Sequence, residues 1–281
     1  MCVKSLFNLH GAHRKTILFS VSSLLMAVIV LFCIFFAYNV VDDSSPFMIR
    51  ITESDIKNAV NNAIEPIVVV LDNDVRLTES LTIPAGKDVT LTSCDDNDFY
   101  KLIGVDGESV IVVEGGGVLR LKGVIITHEN DAYGNGIFID HRGTLMLYDG
   151  VICDNTLHNV NALENVGGGV RNFGRFIMSG GRIVNNTAGG GGGLLNWGSF
   201  SMSGGEISGN TAYGHGGGVN MYGSDFSMSG GKISNNTAAG GGVFSSNAKF
   251  SLVGDGVICG NNAEVGGGVY NQWGNFGHAS N

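Results

Sequence analysis

The sequence predicts a right-handed parallel β-helix solenoid carried outside the cell on an N-terminal membrane anchor. Three observations lead there. A repeat of 24 to 26 residues runs through the C-terminal half, glycine is concentrated in that same half, and one long charge-free apolar run lies near the start.

The repeat is the strongest of these. Phe176-Ile-Met178-Ser-Gly-Gly181-Arg-Ile183 recurs as Phe200-Ser-Met202-Ser-Gly-Gly205-Glu-Ile207 and as Phe226-Ser-Met228-Ser-Gly-Gly231-Lys-Ile233. A weaker copy is Phe250-Ser-Leu252, and the four aromatics are 24, 26 and 24 residues apart, with Phe276 after a further 26. Each isoleucine leads into a polar turn: Asn185-Asn186-Thr187-Ala188, Gly209-Asn210-Thr211-Ala212, Asn235-Asn236-Thr237-Ala238, Gly260-Asn261-Asn262-Ala263. A glycine cluster closing on an apolar residue comes with every unit, as in Gly191–Leu194 and Gly216–Val219. A period in this range marks a solenoid, in which one unit is one coil and buries its apolar face only against its neighbours. Phe-x-Met puts both apolar side chains on one face of a strand. Coils stack about 4.8 Å apart with backbone hydrogen bonds running between them, so equivalent residues form ladders. Phe176, Phe200, Phe226, Phe250 and Phe276 are expected as an internal aromatic stack. Asn155, Asn186, Asn210, Asn236 and Asn261 are expected as an asparagine ladder, each amide bonding the next.

Of 45 glycines, 33 lie between 165 and 281, whereas all three prolines come early. High glycine without proline and without a three-residue period excludes collagen and argues against a flexible linker. The repeat weakens but continues upstream. Leu145-Met-Leu147 keeps the eight-residue offset to Asn155 that separates Met178 from Asn186, and Leu119-Arg-Leu121 precedes it by 26 residues. Further back, Ile67–Leu71, Leu81–Ile83 and Val89–Thr92 read as strands, and eight to nine coils fit between 67 and 281. Before them, Ile56, Ala59, Val60, Ala63 and Ile64 have helical spacing behind a candidate N-cap, Thr52. Such a helix would cover the first coil, where a bare strand edge invites aggregation.

At the start of the chain, Lys4, Arg14 and Lys15 precede the uncharged run Ile17–Val41, and Asp42 and Asp43 follow it. A run of 25 is long enough to span a bilayer and longer than the apolar core of a signal peptide. The flanking charges place the N-terminus inside and the body outside. No small-x-small cleavage site stands out, Ala37 being preceded by bulky Phe35; cleavage there would release a secreted form. The expected organisation is a cytoplasmic segment 1–16, a transmembrane signal anchor 17–41, a linker 42–51, a capping helix 52–64 and the β-helix 65–281.

Three of the 16 basic residues precede the anchor, which leaves 13 against 25 acids in the exported part, a net charge of −12. That charge repels phosphate backbones and argues against nucleic acid as a partner. Cys94, Cys153 and Cys259 are an odd set in an exported body and do not form a disulfide framework. Cys153 and Cys259 lie 106 residues apart, about four coils, too far for a bridge.

The Ile-x-x-Asn turn followed by Gly-Gly-Gly-Val resembles the repeats of exported pectin-lyase-like β-helix proteins. It is also similar to the paired Phe-x-x-Asn and Gly-Gly-Ala-Ile motifs of chlamydial polymorphic outer-membrane proteins. The likeness covers 140–281 well and 67–139 loosely. This chain departs from it in having Ile for Phe and Gly for Ala, with no room for that family's C-terminal membrane barrel. The resemblance implies the fold, and with it either an adhesin-like surface protein or a polysaccharide lyase or hydrolase; fold alone does not choose.

Sugar hydrolysis needs two carboxyl groups about 5–10 Å apart, and the well-formed repeats lack them. Glu206 aligns with Arg182 and Lys232, and Asp225 with Ser199 and Lys249, as solvated outward positions. The one upstream pair is Glu129 and Asp154, with His128 beside Cys153, on the supposition that Asn130 and Asn155 are ladder mates. Asp131 or Asp140 would have to join them for catalysis; solvated turn residues are the plainer reading. Asp95, Asp96 and Asp98 lack the spacing of a calcium loop, so neither a metal nor a cofactor is expected. Gly214-His215-Gly216 matches a tripeptide of polygalacturonases, without that family's acidic motifs. Trp197, Tyr222 and Trp273, with Phe173, fall near one place in successive coils. Pointing outward they would form a strip for sugar rings; pointing inward they are core at a corner, the preferred expectation. The function expected is thus a membrane-anchored, adhesive or polysaccharide-binding surface rod without catalysis, the enzyme being the alternative.

Overall fold

The computed structural model describes residues 50–94, 98–157 and 166–279. One coil is a strand Arg175–Met178, a Ser-Gly-Gly turn, a strand Arg182–Val184, a short strand Thr187–Ala188, a glycine corner and a strand Leu194–Asn196. Stacking of such coils produces four parallel sheets of nine, eight, eight and four strands, a parallel β-solenoid of about eight turns. The expected registers hold: Phe176 pairs with Phe200, Phe200 with Phe226, Phe226 with Phe250 and Phe250 with Phe276. Upstream, Leu119 pairs with Leu145 and Leu145 with Phe176, so the weak leucine repeats are coils in the same column.

Inside, the phenylalanine rings stack with centroids 4.9, 4.4, 4.7 and 5.1 Å apart. Phe176 to Phe250 are fully buried, while Phe276, on the last coil, is 44% exposed. The asparagine column runs alongside. Asn155 Nδ2 donates to Asn186 Oδ1 at 2.9 Å, Asn186 to Asn210 at 3.0 Å, Asn210 to Asn236 and Asn236 to Asn261 at 2.9 Å. Each Oδ1 also accepts the backbone N–H of the preceding asparagine, and Asn186 to Asn261 each donate Nδ2 to a buried isoleucine carbonyl of the coil before. The residue ahead of each asparagine (Asp154, Asn185, Gly209, Asn235, Gly260) has φ between 56° and 66°. Asn, Asp and Gly are the residues that tolerate this left-handed region best, and that conformation turns the next side chain inward. At the glycine corner there is no room for anything larger: a Cβ on Gly168 would lie 2.6 Å from the carbonyl oxygen of Gly192.

A helix, α1 (Glu53–Asn62), precedes the first strand, Ile67–Leu71. Thr52 caps it in a reciprocal box: its backbone N–H donates to Asp55 Oδ2 at 2.9 Å, and the Asp55 N–H donates to Thr52 Oγ1 at 3.3 Å. Ile56 and Val60 are fully buried in the solenoid core, so the helix plugs the first coil as expected, over a slightly shorter span than 52–64. No helix among the described residues is long and apolar enough to cross a membrane. The expected anchor at 17–41 lies outside the described residues, as do Asp95 and Asp96.

Candidate binding face on the third sheet

Strands such as Val170–Asn172, Leu194–Asn196, Val219–Tyr222 and Val243–Ser246 build the third sheet, whose alternate residues face outward. Two outward rows result. In the first, Phe138, Arg171, Leu195, Asn220, Phe244 and Tyr270 stand in register on successive coils. The second, two residues further along each strand, holds Phe173, Trp197, Tyr222 and then Ser246.

The preferred expectation of buried corner aromatics is corrected here. Trp197 is 52% exposed, and its neighbours Phe173 and Tyr222 are half-buried. The inward positions on these strands are already filled by Leu194, Asn196, Val219 and Met221, so strand alternation forces the aromatics out. Phe173 and Trp197 stack at 6.2 Å and 17°, Trp197 and Tyr222 lie 5.4 Å apart at 32°, and His141 continues the stack 5.4 Å from Phe173. Trp273 does not join them. It occupies a left-handed turn (φ 56°) one residue past the row, beside Asn247 and Gly223 in the preceding coils, and is 79% exposed. Gln272, paired with Ser246, takes the place in the row.

Glycine corners close over part of the first row. Leu195, Asn220 and Phe244 point out of the solenoid yet are 1%, 2% and 1% exposed. The His215 ring lies on Phe244 at 4.3 Å and 11°. Three buried polar atoms of this face have no hydrogen-bond partner: Arg171 Nε, His215 Nδ1 and Asn220 Oδ1. The Arg171 guanidinium carbon sits 5.9 Å from the Phe138 ring and 5.3 Å from the Phe173 ring. Burial alone pushes its pKa down from the ordinary arginine value. Sequence reasoning set aside His215 and overlooked Arg171 and Asn220, because an outward row with five residue types over six coils leaves no repeat to detect.

The catalytic candidates do not assemble. Glu129 accepts from Lys101 at 2.8 Å and from Arg76 at 2.6 Å, and these hydrogen bonds hold its carboxyl below the usual range. Asp154 is an exposed left-handed turn residue. His128 is buried and directs Nδ1 to Asn155 Oδ1 at 2.8 Å and Nε2 to the Glu108 carbonyl at 3.1 Å. It therefore ends the asparagine ladder. The supposed pairing of Asn130 with Asn155 is off by one residue, because Thr127 rather than His128 pairs with Cys153. Asn130 and Asp131 are instead consecutive left-handed turn residues beyond the column. Glu206 and Asp225 sit against Lys232 and Lys249 in the registers expected of them. No cluster of three or more metal-ligating side chains occurs among the described residues. No family model matches the chain, and no curated protein and no solved structure matches it.

Proposed function

We propose that the protein is a membrane-anchored, exported surface rod that binds glycans without catalysis, through the outer face of the third sheet. The observation that carries this is the outward row Phe173–Trp197–Tyr222, with Trp197 half exposed and Arg171 over the Phe173 ring. An aromatic surface with a polar, charged side chain at its edge suits a ligand that is apolar on its ring faces and polar at its hydroxyls. The row also runs along the solenoid axis, so an extended polymer gains contacts coil by coil. The acids nearest to a catalytic pair argue for binding alone: Glu129 is held by two cations, and Asp154 stands exposed on a turn.

The test is a glycan array probed with the full-length protein in detergent micelles, with lyase and hydrolase assays alongside. Bound glycans should be released unchanged, and Trp197→Ala should weaken binding about tenfold or more, as for a central aromatic contact. Binding indifferent to Trp197, or cleavage of the glycan, refutes the proposal. The anchor is tested separately: the native protein should fractionate with membranes and keep its N-terminus, whereas a mature chain beginning beyond residue 37 rules the anchor out.

A further inference from the structure

We infer that Arg171 makes this face selective for glycans bearing an anionic group, a carboxylate or a sulfate ester, held by its guanidinium in a forked pair of hydrogen bonds. The inference rests on the glycan-binding reading above and sharpens it. Arg171 is the one lysine or arginine on the two outward rows of the third sheet among the described residues. Its neighbours in register are Phe138 and Leu195, neither of which can neutralise it. Asp140, on the adjoining coil, accepts instead from the backbone N–H of His141 at 2.7 Å and lies 3.3 Å from the His141 ring.

The guanidinium is nonetheless held in place. Phe138 and Phe173 both lie within cation–π range of it, which fixes where the group sits while leaving its N–H donors unused. Its Nε is buried and has no partner. The two terminal nitrogens have no countercharge either, and a planar anion with two acceptor oxygens pairs with them in the geometry arginine matches best. Phe173 stacks directly on Trp197, so the anionic group and the sugar ring of one ligand fall on the same two coils.

The experiment compares three oligosaccharides of one backbone, one carboxylated, one sulfated and one neutral, binding to full-length protein, Arg171→Gln, Arg171→Lys and Trp197→Ala. A charged form should bind about 10- to 100-fold tighter than the neutral one, the range of a hydrogen-bonded charge. Arg171→Gln should abolish that preference while leaving the weaker, Trp197-dependent binding of the neutral sugar. Arg171→Lys, which keeps the charge and loses the fork, should retain only part of the preference. Whichever charged form shows the preference identifies the source of the anion. Equal binding of all three sugars with Trp197 still required overturns the role of Arg171 and leaves the glycan-binding reading standing. Binding of none overturns both. Circular dichroism melts of each variant separate lost binding from lost folding, and an Arg171→Gln protein that stays folded and keeps its preference refutes the inference outright.

Discussion

Asn210→Ala tests the asparagine column where it is most deeply embedded. Asn210 Oδ1 accepts the Asn186 backbone N–H at 2.9 Å and its Nδ2 at 3.0 Å, while Asn210 Nδ2 donates to the Ile183 carbonyl and to Asn236 Oδ1, both at 2.9 Å. After truncation the losses are unequal. Asn186 Nδ2 still reaches the Ile152 and Val184 carbonyls, and Asn236 Oδ1 still accepts the backbone N–H of residue 210. The Asn186 backbone N–H has no second acceptor and is left orphaned at a site with no exposure. One buried donor stranded in this way costs about 1–3 kcal/mol, before the other lost bonds are counted. For a body of this size that lowers the melting temperature by about 2–12 °C. The assay is thermal and urea denaturation of full-length protein followed by circular dichroism, with Asn262→Ala as control. Asn262 neighbours the column in sequence but is exposed, and should shift stability by less than about 0.5 kcal/mol. If Asn210→Ala melts with the parent, the column is not the buried network described here.

Four further outcomes are expected. Cys153 and Cys259 are four coil steps apart through Val184, Ser208 and Ser234, so non-reducing mass spectrometry should find no Cys153–Cys259 link, and finding one would contradict the coil register. Burial first, and Asp154 second, push the Cys153 thiol up to about 12, so at pH 8 exposed Cys259 should alkylate far sooner than Cys153; equal rates count against the burial. Ile56→Ala in α1 should destabilise by about 2–5 kcal/mol and promote aggregation through the uncovered first coil; a soluble protein of parental stability shows that the helix is not a plug. Glu129 is held low by its bonds to Lys101 and Arg76, so its stabilisation is complete above the unfolded carboxylate range (about 4.3) and is lost as pH falls through the lower folded value; Glu129→Gln should flatten the acid limb of stability, and an unchanged limb refutes the assignment.

What could be read from the sequence follows from how a solenoid is held together. Inward positions stack on their own copies, so packing rewards identity from coil to coil, and the Phe176 and Asn186 columns stand out on one chain alone. The same logic fails where a coil replaces the repeated residue. At the start of the column it is His128 that bonds Asn155, so no asparagine marks the upstream coil, and alignment on Asn130 falls one residue out of register. A second, shorter ladder was missed: Asn172 Nδ2 donates to Asn196 Oδ1 at 2.6 Å, and Asn196 Nδ2 to Ser224 Oγ at 3.0 Å. Its trace, Asn-Phe-Gly followed by Asn-Trp-Gly, recurs only once, and the next coil supplies its partner from a turn serine rather than from the strand.

Outward positions obey the opposite rule, and this is why the candidate site was hard to see. A column of identical charges about 4.8 Å apart is self-repelling, so a solenoid of regular coils cannot repeat a charged function along its length. Glu206 is flanked in register by Arg182 and Lys232, and Asp225 by Lys249, which satisfies that constraint. A charge left without a countercharge must stand in a row where its neighbours are neutral, and the first outward row of the third sheet is such a place: Arg171 lies between a phenylalanine and a leucine. On this fold, then, the regular columns report what holds the coils together, while an outward row that does not repeat is free to carry a charge without a countercharge. Alternation of the strands adds the final constraint. With Leu194, Val219 and Met221 filling the interior, Trp197 and Tyr222 have no inward site to occupy, and their exposure follows from the core's being complete without them.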